Sequence, residues 1–173
     1  MSKAVLISIR PKWVEKIASG EKTIEVRKTR PKLDTPFRCY IYCTLPKYPH
    51  EDFIATDYPM PQFYGGGKVI GEFTCDRIYE LAPLNHAPDD VEKQACLTRE
   101  EIVNYLKGTG YGWHIADLLI YDQPRELTAF RRACKNSWYC ESCAMYWENN
   151  GTCGNESLQI RRPPQSWCYV EEG

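Results

Sequence analysis

The sequence predicts a single α+β domain, residues 1–173, built on a curved or closed antiparallel sheet. Its 173 residues suit one domain with a core of its own. Short strands of mixed polarity surround only two helical segments, which is typical of this class. No βαβ repeat and no glycine-rich phosphate loop follows a strand. The net charge of −1 argues against a bulk polyelectrolyte binder, although a local basic face could still meet phosphates.

The first predicted elements are a buried strand and a short helix. Residues 4–9 form an apolar run rich in β-branched side chains, as buried strands do. Pro11 suits the first turn of a helix, because its missing N–H would have no partner there. Apolar side chains recur at helical spacing as far as Ala18. Gly20 then supplies the left-handed residue that commonly follows a helix.

Five further strands are predicted downstream. They alternate in polarity or are rich in β-branched and aromatic residues, and they span 23–28, 37–44, 68–81, 113–121 and 167–170. Gly71, inside one of them, predicts a bulge or a bend. Residues 45–66 are rich in proline, tyrosine and aspartate and are interpreted as a long loop.

A second helix is predicted from Thr98 to about Lys107. Thr98 and Glu101 have the spacing of a capping box, in which a hydroxyl and a carboxylate each accept a hydrogen bond from a backbone N–H. The residues preceding it, 82–97, are interpreted as a polar loop. The side chains expected to face inward are Ile102, Val103 and Leu106.

A candidate site lies where the first helix leads into the second strand. Glu25 and Arg27 are two residues apart on a predicted strand, so they share a face at a separation of about 7 Å. Arginine offers a planar fork of donors, and glutamate can act as a base or accept a hydrogen bond from an amino group. Simple alternation places Lys22 on the opposite face, unless the chain is still turning after Gly20. The alternative interpretation is an exposed strand face with cross-strand ion pairs.

Several segments resemble ASCH domains, which are relatives of the PUA-like β-barrels. Residues 8–13 and 17–27 resemble the N-terminal block of that family, and 69–73 its central strand. Residues 111–121 and 163–170 resemble later blocks of a phage- and bacteria-type subgroup. The resemblance implies a small PUA-like antiparallel β-barrel with two flanking helices. It also implies a cleft lined by Lys22, Glu25 and Arg27.

The same resemblance implies two possible functions. Members of the family are thought to bind RNA or nucleotides, so we expect RNA or a modified nucleoside as the partner in this cleft. Some members hydrolyse acetylated cytidine or cleave RNA. The alternative is therefore a small hydrolase acting on an acylated cytidine or on RNA, with Lys22 as activator and Glu25 as general base. Glu25 stands where the deacetylating members have a threonine, which favours binding over hydrolysis.

A cysteine-rich insert is predicted at residues 130–155. Its cysteines are separated by five, two and nine residues, and they are Cys134, Cys140, Cys143 and Cys153. Four thiolates can close a tetrahedral shell around zinc, and an iron–sulfur cluster is also held by four cysteines. The third interpretation is a loop with incidental thiols. We expect zinc, and the insert could also dock a protein partner.

Nothing in the sequence marks the chain for export or for a membrane. No apolar run approaches about 18 residues, the length needed to span a bilayer, and the start of the chain lacks the features of a signal peptide. The cytoplasm is therefore the expected location. There the nine cysteines are expected as thiols or metal ligands and not as disulfides.

Overall fold

The computed structural model describes residues 3–45, 66–82, 84–134 and 137–171. It confirms the α+β class. The strands are β1 (Lys3–Ile9), β2 (Ile24–Arg27), β3 (Phe37–Cys43), β4 (Lys68–Glu80), β5 (Tyr111–Arg125) and β6 (Trp167–Glu171). The helices are α1 (Pro11–Ala18), α2 (Val91–Ala95), α3 (Arg99–Leu106) and α4 (Ala144–Glu148). The loop predicted at 45–66 lies outside the described residues except at its two ends.

The six strands form one sheet in the order β2-β5-β4-β3-β1-β6. Neighbouring strands are antiparallel except β1 and β3, which are parallel. The sheet is therefore mixed, whereas the prediction was purely antiparallel. Parallel neighbours need a long crossover connection, and the chain between β1 and β3 supplies one that contains α1 and β2.

The sheet is strongly curled. Arg27 lies on the edge strand β2, yet its Nη2 donates a hydrogen bond of 2.6 Å to the carbonyl of Ser8 on β1. Three strands separate β2 from β1 within the sheet, so this contact requires the two regions to fold towards each other. In the main core, Trp113 packs edge-on against Phe37 with ring centroids 5.9 Å apart.

The bulge predicted at Gly71 is confirmed. The register between β3 and β4 shifts next to it, and so does the register between β4 and β5. A Cβ at this position would collide with the backbone carbonyl of Leu119. Glycine is therefore required where three strands approach this closely.

A smaller core joins α2 and α3 to β2. The capping box at the start of α3 is confirmed: Thr98 Oγ1 accepts from the Glu101 N–H at 3.2 Å, and Glu101 Oε2 accepts from the Thr98 N–H at 2.8 Å. Ile102 and Leu106 are buried as predicted, but Val103 is 54% exposed. Ile102 and Leu106 lie four residues apart on one face, and Val103 is rotated about 100° away.

The insert contains a 3₁₀ helix and a short α-helix that the sequence analysis did not predict. A 3₁₀ turn spans Ser137–Ser142, and α4 follows it directly. No residue of α4 is buried, and Trp147 is 66% exposed. Within the part of the chain that the structure describes, no helix is long and apolar enough to cross a membrane.

Candidate functional site

A cavity of about 610 Å³ opens beside α1, and Lys22, Glu25 and Arg27 all line it. The structure thus brings together the three residues predicted for the cleft. They are the charged residues of the buried set, with exposures of 3%, 6% and 8%. The alternative of an exposed strand face with surface ion pairs is therefore wrong. We refer to these three side chains as the charged triad.

Lys22 lies on the same side as Glu25 because the backbone is still in a turn at Lys22. Gly20 has a φ of +80°, and the Lys22 N–H donates to the carbonyl of Lys16 at 2.9 Å, so β2 starts only at Ile24. The Lys22 Nζ donates to the carbonyl of Ala95 at 2.7 Å and lies 3.5 Å from Glu25 Oε2. The chain is therefore still turning after Gly20, which is the condition under which Lys22 was expected to lie beside Glu25.

Arg27 and Glu25 form the other half of the triad. The Nε of Arg27 donates to Glu25 Oε1 at 3.0 Å, and its Nη2 lies 3.0 Å from the same oxygen. The Nη2 also donates to the Ser8 carbonyl, and the Nη1 donates to the hydroxyl of Ser166 at 3.3 Å. The planar guanidinium of arginine can donate to these three acceptors at once, whereas the single ammonium group of a lysine could not.

The triad keeps a small set of polar groups available to a ligand. Of the five N–H groups of Arg27, one on Nη1 has no partner among the described residues. Lys22 likewise has a third N–H beyond those used for Ala95 and Glu25. Glu25 Oε2 faces only Lys22 within the described chain, so it can accept a further hydrogen bond. The triad therefore offers two donors and one acceptor, with one net positive charge.

Aromatic rings form two parts of the cavity wall. Trp13 of α1 lies under the Lys22 Nζ, which is 5.1 Å from the ring centroid, and the Nζ of Lys12 lies 4.7 Å from the same ring. Tyr105 of α3 is the second ring, with the Nζ of Lys28 5.3 Å from its centroid. Trp13 is one of the apolar side chains that recur at helical spacing along α1, and no pattern in the sequence singles out Tyr105. Partial exposure of both rings is the property that the sequence pattern could not reveal.

Another part of the wall comes from the segment just before β6. Pro163, Pro164 and Gln165 line the cavity just before β6. They are held in place because the Ser8 Oγ donates to the Pro164 carbonyl at 2.6 Å and the Ser8 N–H donates to Ser166 at 2.9 Å. No local pattern in the sequence indicates that these segments meet.

The four cysteines of the insert line a second cavity, of about 340 Å³. Desolvation raises the pKa of the Cys140 thiol, and repulsion from the three other thiolates raises it further. Even so, no three histidine, cysteine or carboxylate side chains in the described ranges are arranged to hold a metal ion. The zinc site, with Cys134, Cys140, Cys143 and Cys153 as ligands, therefore stays a prediction.

The other cysteines lie elsewhere in the fold. Cys39, Cys43 and Cys75 are buried, and burial raises the pKa of Cys43 and Cys75 to about 12. Cys96 and Cys168 are only half-buried. The exposed Met145 and Trp147 of α4 lie in the insert, but nothing in the described chain shows what covers them. A protein partner for the insert accordingly stays a prediction.

The fold is similar to solved structures of an ASCH protein from Zymomonas mobilis. One covers 98% of this chain and 88% of that chain, with 19% identity and a TM-score of 0.53. A single-substitution variant of that protein covers 99% and 92%, with 19% identity and a TM-score of 0.54. A second variant covers 98% and 89% at 19% identity, with a TM-score of 0.50. No protein-family model and no curated protein matches the sequence.

The curled sheet and these likenesses together show that the chain has the fold of these ASCH structures. The resemblance noted in the sequence is thereby confirmed for the fold, over almost the whole chain. At 19% identity the likeness concerns the fold alone. The phage- and bacteria-type subgroup remains a prediction.

Proposed function

We propose that the protein binds RNA or a modified nucleoside in the cavity of the charged triad. The observation that carries the proposal is the burial of three charged side chains around one open cavity. Burying charges costs free energy, and apolar residues of similar size would often be as stable. A cavity of about 610 Å³ falls within the range of small-molecule sites. A binding role accounts for both features.

The polar groups of the triad match the edge of a nucleobase. Glu25 Oε2 can accept from an exocyclic amino group, while Lys22 and Arg27 can donate to ring nitrogens and carbonyls. Cytosine presents the complementary pattern, an amino donor beside acceptors, and glutamate is a known acceptor for its amino group. Single-stranded RNA exposes such edges because its bases can be splayed out. A cytosine-type base is therefore the preferred ligand.

The rings and the basic rim support an RNA or nucleotide ligand. Trp13 and Tyr105 offer surfaces on which a base can stack, an interaction that tolerates any base. Lys12 and Lys28 lie over these rings and can meet the phosphates that flank a bound base. Specificity would then come from the triad, and much of the affinity from the rim.

Hydrolysis of an acylated cytidine or of RNA is the second candidate. It is favoured by the 3.5 Å approach of Lys22 Nζ to Glu25 Oε2, which places an activator beside a possible base. Against it, Arg27 Nε donates to Glu25 Oε1 and Arg27 Nη2 lies 3.0 Å from the same oxygen, so half of the carboxylate already serves a structural ion pair. Binding without turnover is therefore our first choice.

The test is equilibrium binding of short single-stranded RNA and of free nucleosides to matched variants. Lys22→Met keeps the length of the side chain but removes its charge. Losing one hydrogen bond to a charged group should weaken binding by about 10- to 100-fold. Lys3→Gln is the control, because Lys3 is exposed at the start of β1, away from the Ser8 end. Circular dichroism verifies that each variant is folded.

Two results would contradict this proposal. Equal weakening by Lys3→Gln and Lys22→Met would indicate nonspecific attraction of charge. Release of acetate from acetylated cytidine by the natural protein, abolished in Glu25→Gln, would establish the hydrolase instead. If the protein is a binder, Glu25→Gln should change the preferred base, and neither form should turn over.

A further inference from the structure

The four cysteines of the insert lie apart from the triad. None of them lines the cavity of the triad, and together they line a cavity of their own. All four are free thiols in the described structure. Their convergence across 20 residues of chain is a feature that nucleoside binding does not explain.

Apolar packing does not account for the order of this segment. No residue of α4 is buried, and Met145 and Trp147 are exposed. A short segment without a core needs another source of stability, and in small domains that source is commonly a metal or disulfides. The described structure contains no disulfide, since each of its cysteines is free.

The backbone around the paired cysteines forms tight turns suited to metal ligands. The Cys143 N–H donates to the Cys140 carbonyl at 3.0 Å, which closes a turn between these two residues. The Tyr146 N–H then donates to the Cys143 carbonyl at 3.0 Å as α4 begins. Two cysteines separated by two residues in such a turn can both direct sulfur to one point, the arrangement seen in zinc knuckles.

The loop that carries Cys153 is pressed against α4. A Cβ on Gly154 would lie 2.9 Å from the carbonyl of Met145, so a larger residue would push the two segments apart. Arg131 fixes the same loop from the other side, since its guanidinium donates to the carbonyls of Cys153 at 2.5 Å and Asn155 at 2.7 Å. Both contacts hold Cys153 near the turn of Cys140 and Cys143.

We propose that Cys134, Cys140, Cys143 and Cys153 bind one zinc ion through four thiolates. Binding transfers four thiol protons to solvent and moves no electrons. The resulting centre carries a charge of −2, and the guanidinium of Arg131 at the Cys153 loop partly offsets it. The four thiols do not form a ready ligand shell in the described structure, so the loops contract onto the ion as it binds.

Zinc fits this ligand set better than an iron–sulfur cluster. Zinc sites tolerate varied spacing around a single CxxC pair, whereas the common cluster motifs place three cysteines in one closely spaced run. Here Cys134 and Cys140 are separated by five residues, one more than the four of the plant-type cluster motif, and Cys153 follows Cys143 after nine. The cluster nevertheless makes a distinct experimental prediction, because it contains iron and acid-labile sulfide.

The test is elemental analysis of the full chain purified without chelators. We expect one zinc ion per chain in the natural protein. Cys143→Ser should lose the ion to a competing chelator that leaves the natural protein loaded. Cys96→Ser is the matched control, since it removes a half-buried thiol outside the insert and should retain full zinc content. Cobalt substitution should give the visible spectrum of a tetrahedral four-thiolate site.

Three results would overturn the zinc site. One is natural protein that has no stoichiometric metal and, when reduced, takes up no added zinc. Another is equal zinc retention by Cys143→Ser and Cys96→Ser. The third is iron with an equivalent amount of sulfide. If Cys143→Ser does not fold, the metal content and zinc uptake of the natural protein still decide the question.

Discussion

Glu25→Gln tests how far the charged triad depends on its single carboxylate. The substitution preserves the shape of the side chain and one carbonyl oxygen. It removes the negative charge that lies 3.0 Å from Arg27 Nη2 and 3.5 Å from Lys22 Nζ. Two buried cations then face each other across a neutral amide, whose own N–H groups cannot accept from either one.

The expected loss of stability is large for a single-atom change. At an effective dielectric constant of about 20, each of the two attractions is worth roughly 5 kcal/mol before desolvation is counted. Removing one partner of a buried ion pair costs about 3–5 kcal/mol net, because the other partners remain buried. For a chain of this length that corresponds to a drop in melting temperature of about 6–20 °C.

The assay is urea unfolding followed by circular dichroism, with thermal unfolding as a second measure. Glu21→Gln is the control, since Glu21 pairs with Lys16 at 2.9 Å on the exposed surface, where an ion pair contributes little to stability. Adding Lys22→Met to Glu25→Gln should recover part of the loss by removing one unpaired cation. Equal unfolding midpoints for Glu25→Gln and Glu21→Gln would refute the buried-triad reasoning.

Three further predictions concern stability. Gly71→Ala should cost about 3 kcal/mol, the upper range for overpacking, because its Cβ would strike the carbonyl of Leu119; urea unfolding measures this. Thr98→Ala should cost about 1 kcal/mol by the same method, through loss of the capping hydroxyl. Burial raises the pKa of Cys43 and Cys75 from 9.0 to about 12, so their contribution is complete below pH 9 and is lost as the pH rises towards 12. The free energy of unfolding should therefore fall by about 1.4 kcal/mol per pH unit for each thiol across that window, and unchanged stability there would contradict it.

Local patterns were sufficient for most of the elements. The apolar run of β1 and the capping box of α3 each depend on neighbours within a few residues, so the sequence shows them directly. β5 extends to Arg125, beyond the predicted end at 121, because Arg125 pairs with Val69 of β4. α2 was predicted as loop, since its five residues contain only two buried side chains and its helical state depends on packing against β2.

The features that the sequence did not predict depend on contacts between residues far apart in the chain. The parallel alignment of β1 and β3 has no signature in either strand, because both are simply apolar. The motif predicted the charged triad, but it could not indicate that Ser166 would bind Arg27 across 139 positions. The exposure of Tyr105 likewise depends on where α3 docks, which no periodicity within the helix defines.

The bond between Ser8 and the carbonyl of Pro164 joins positions 156 residues apart. A ribosome therefore completes the strand that carries Glu25 and Arg27 long before it makes the segment that encloses them. β2 also cannot form its sheet hydrogen bonds until β5, its partner strand, has been synthesised. Closing such long loops is slow relative to local folding. The binding cavity is accordingly among the last features to form, and a nascent chain that ends before residue 163 has no complete ligand site.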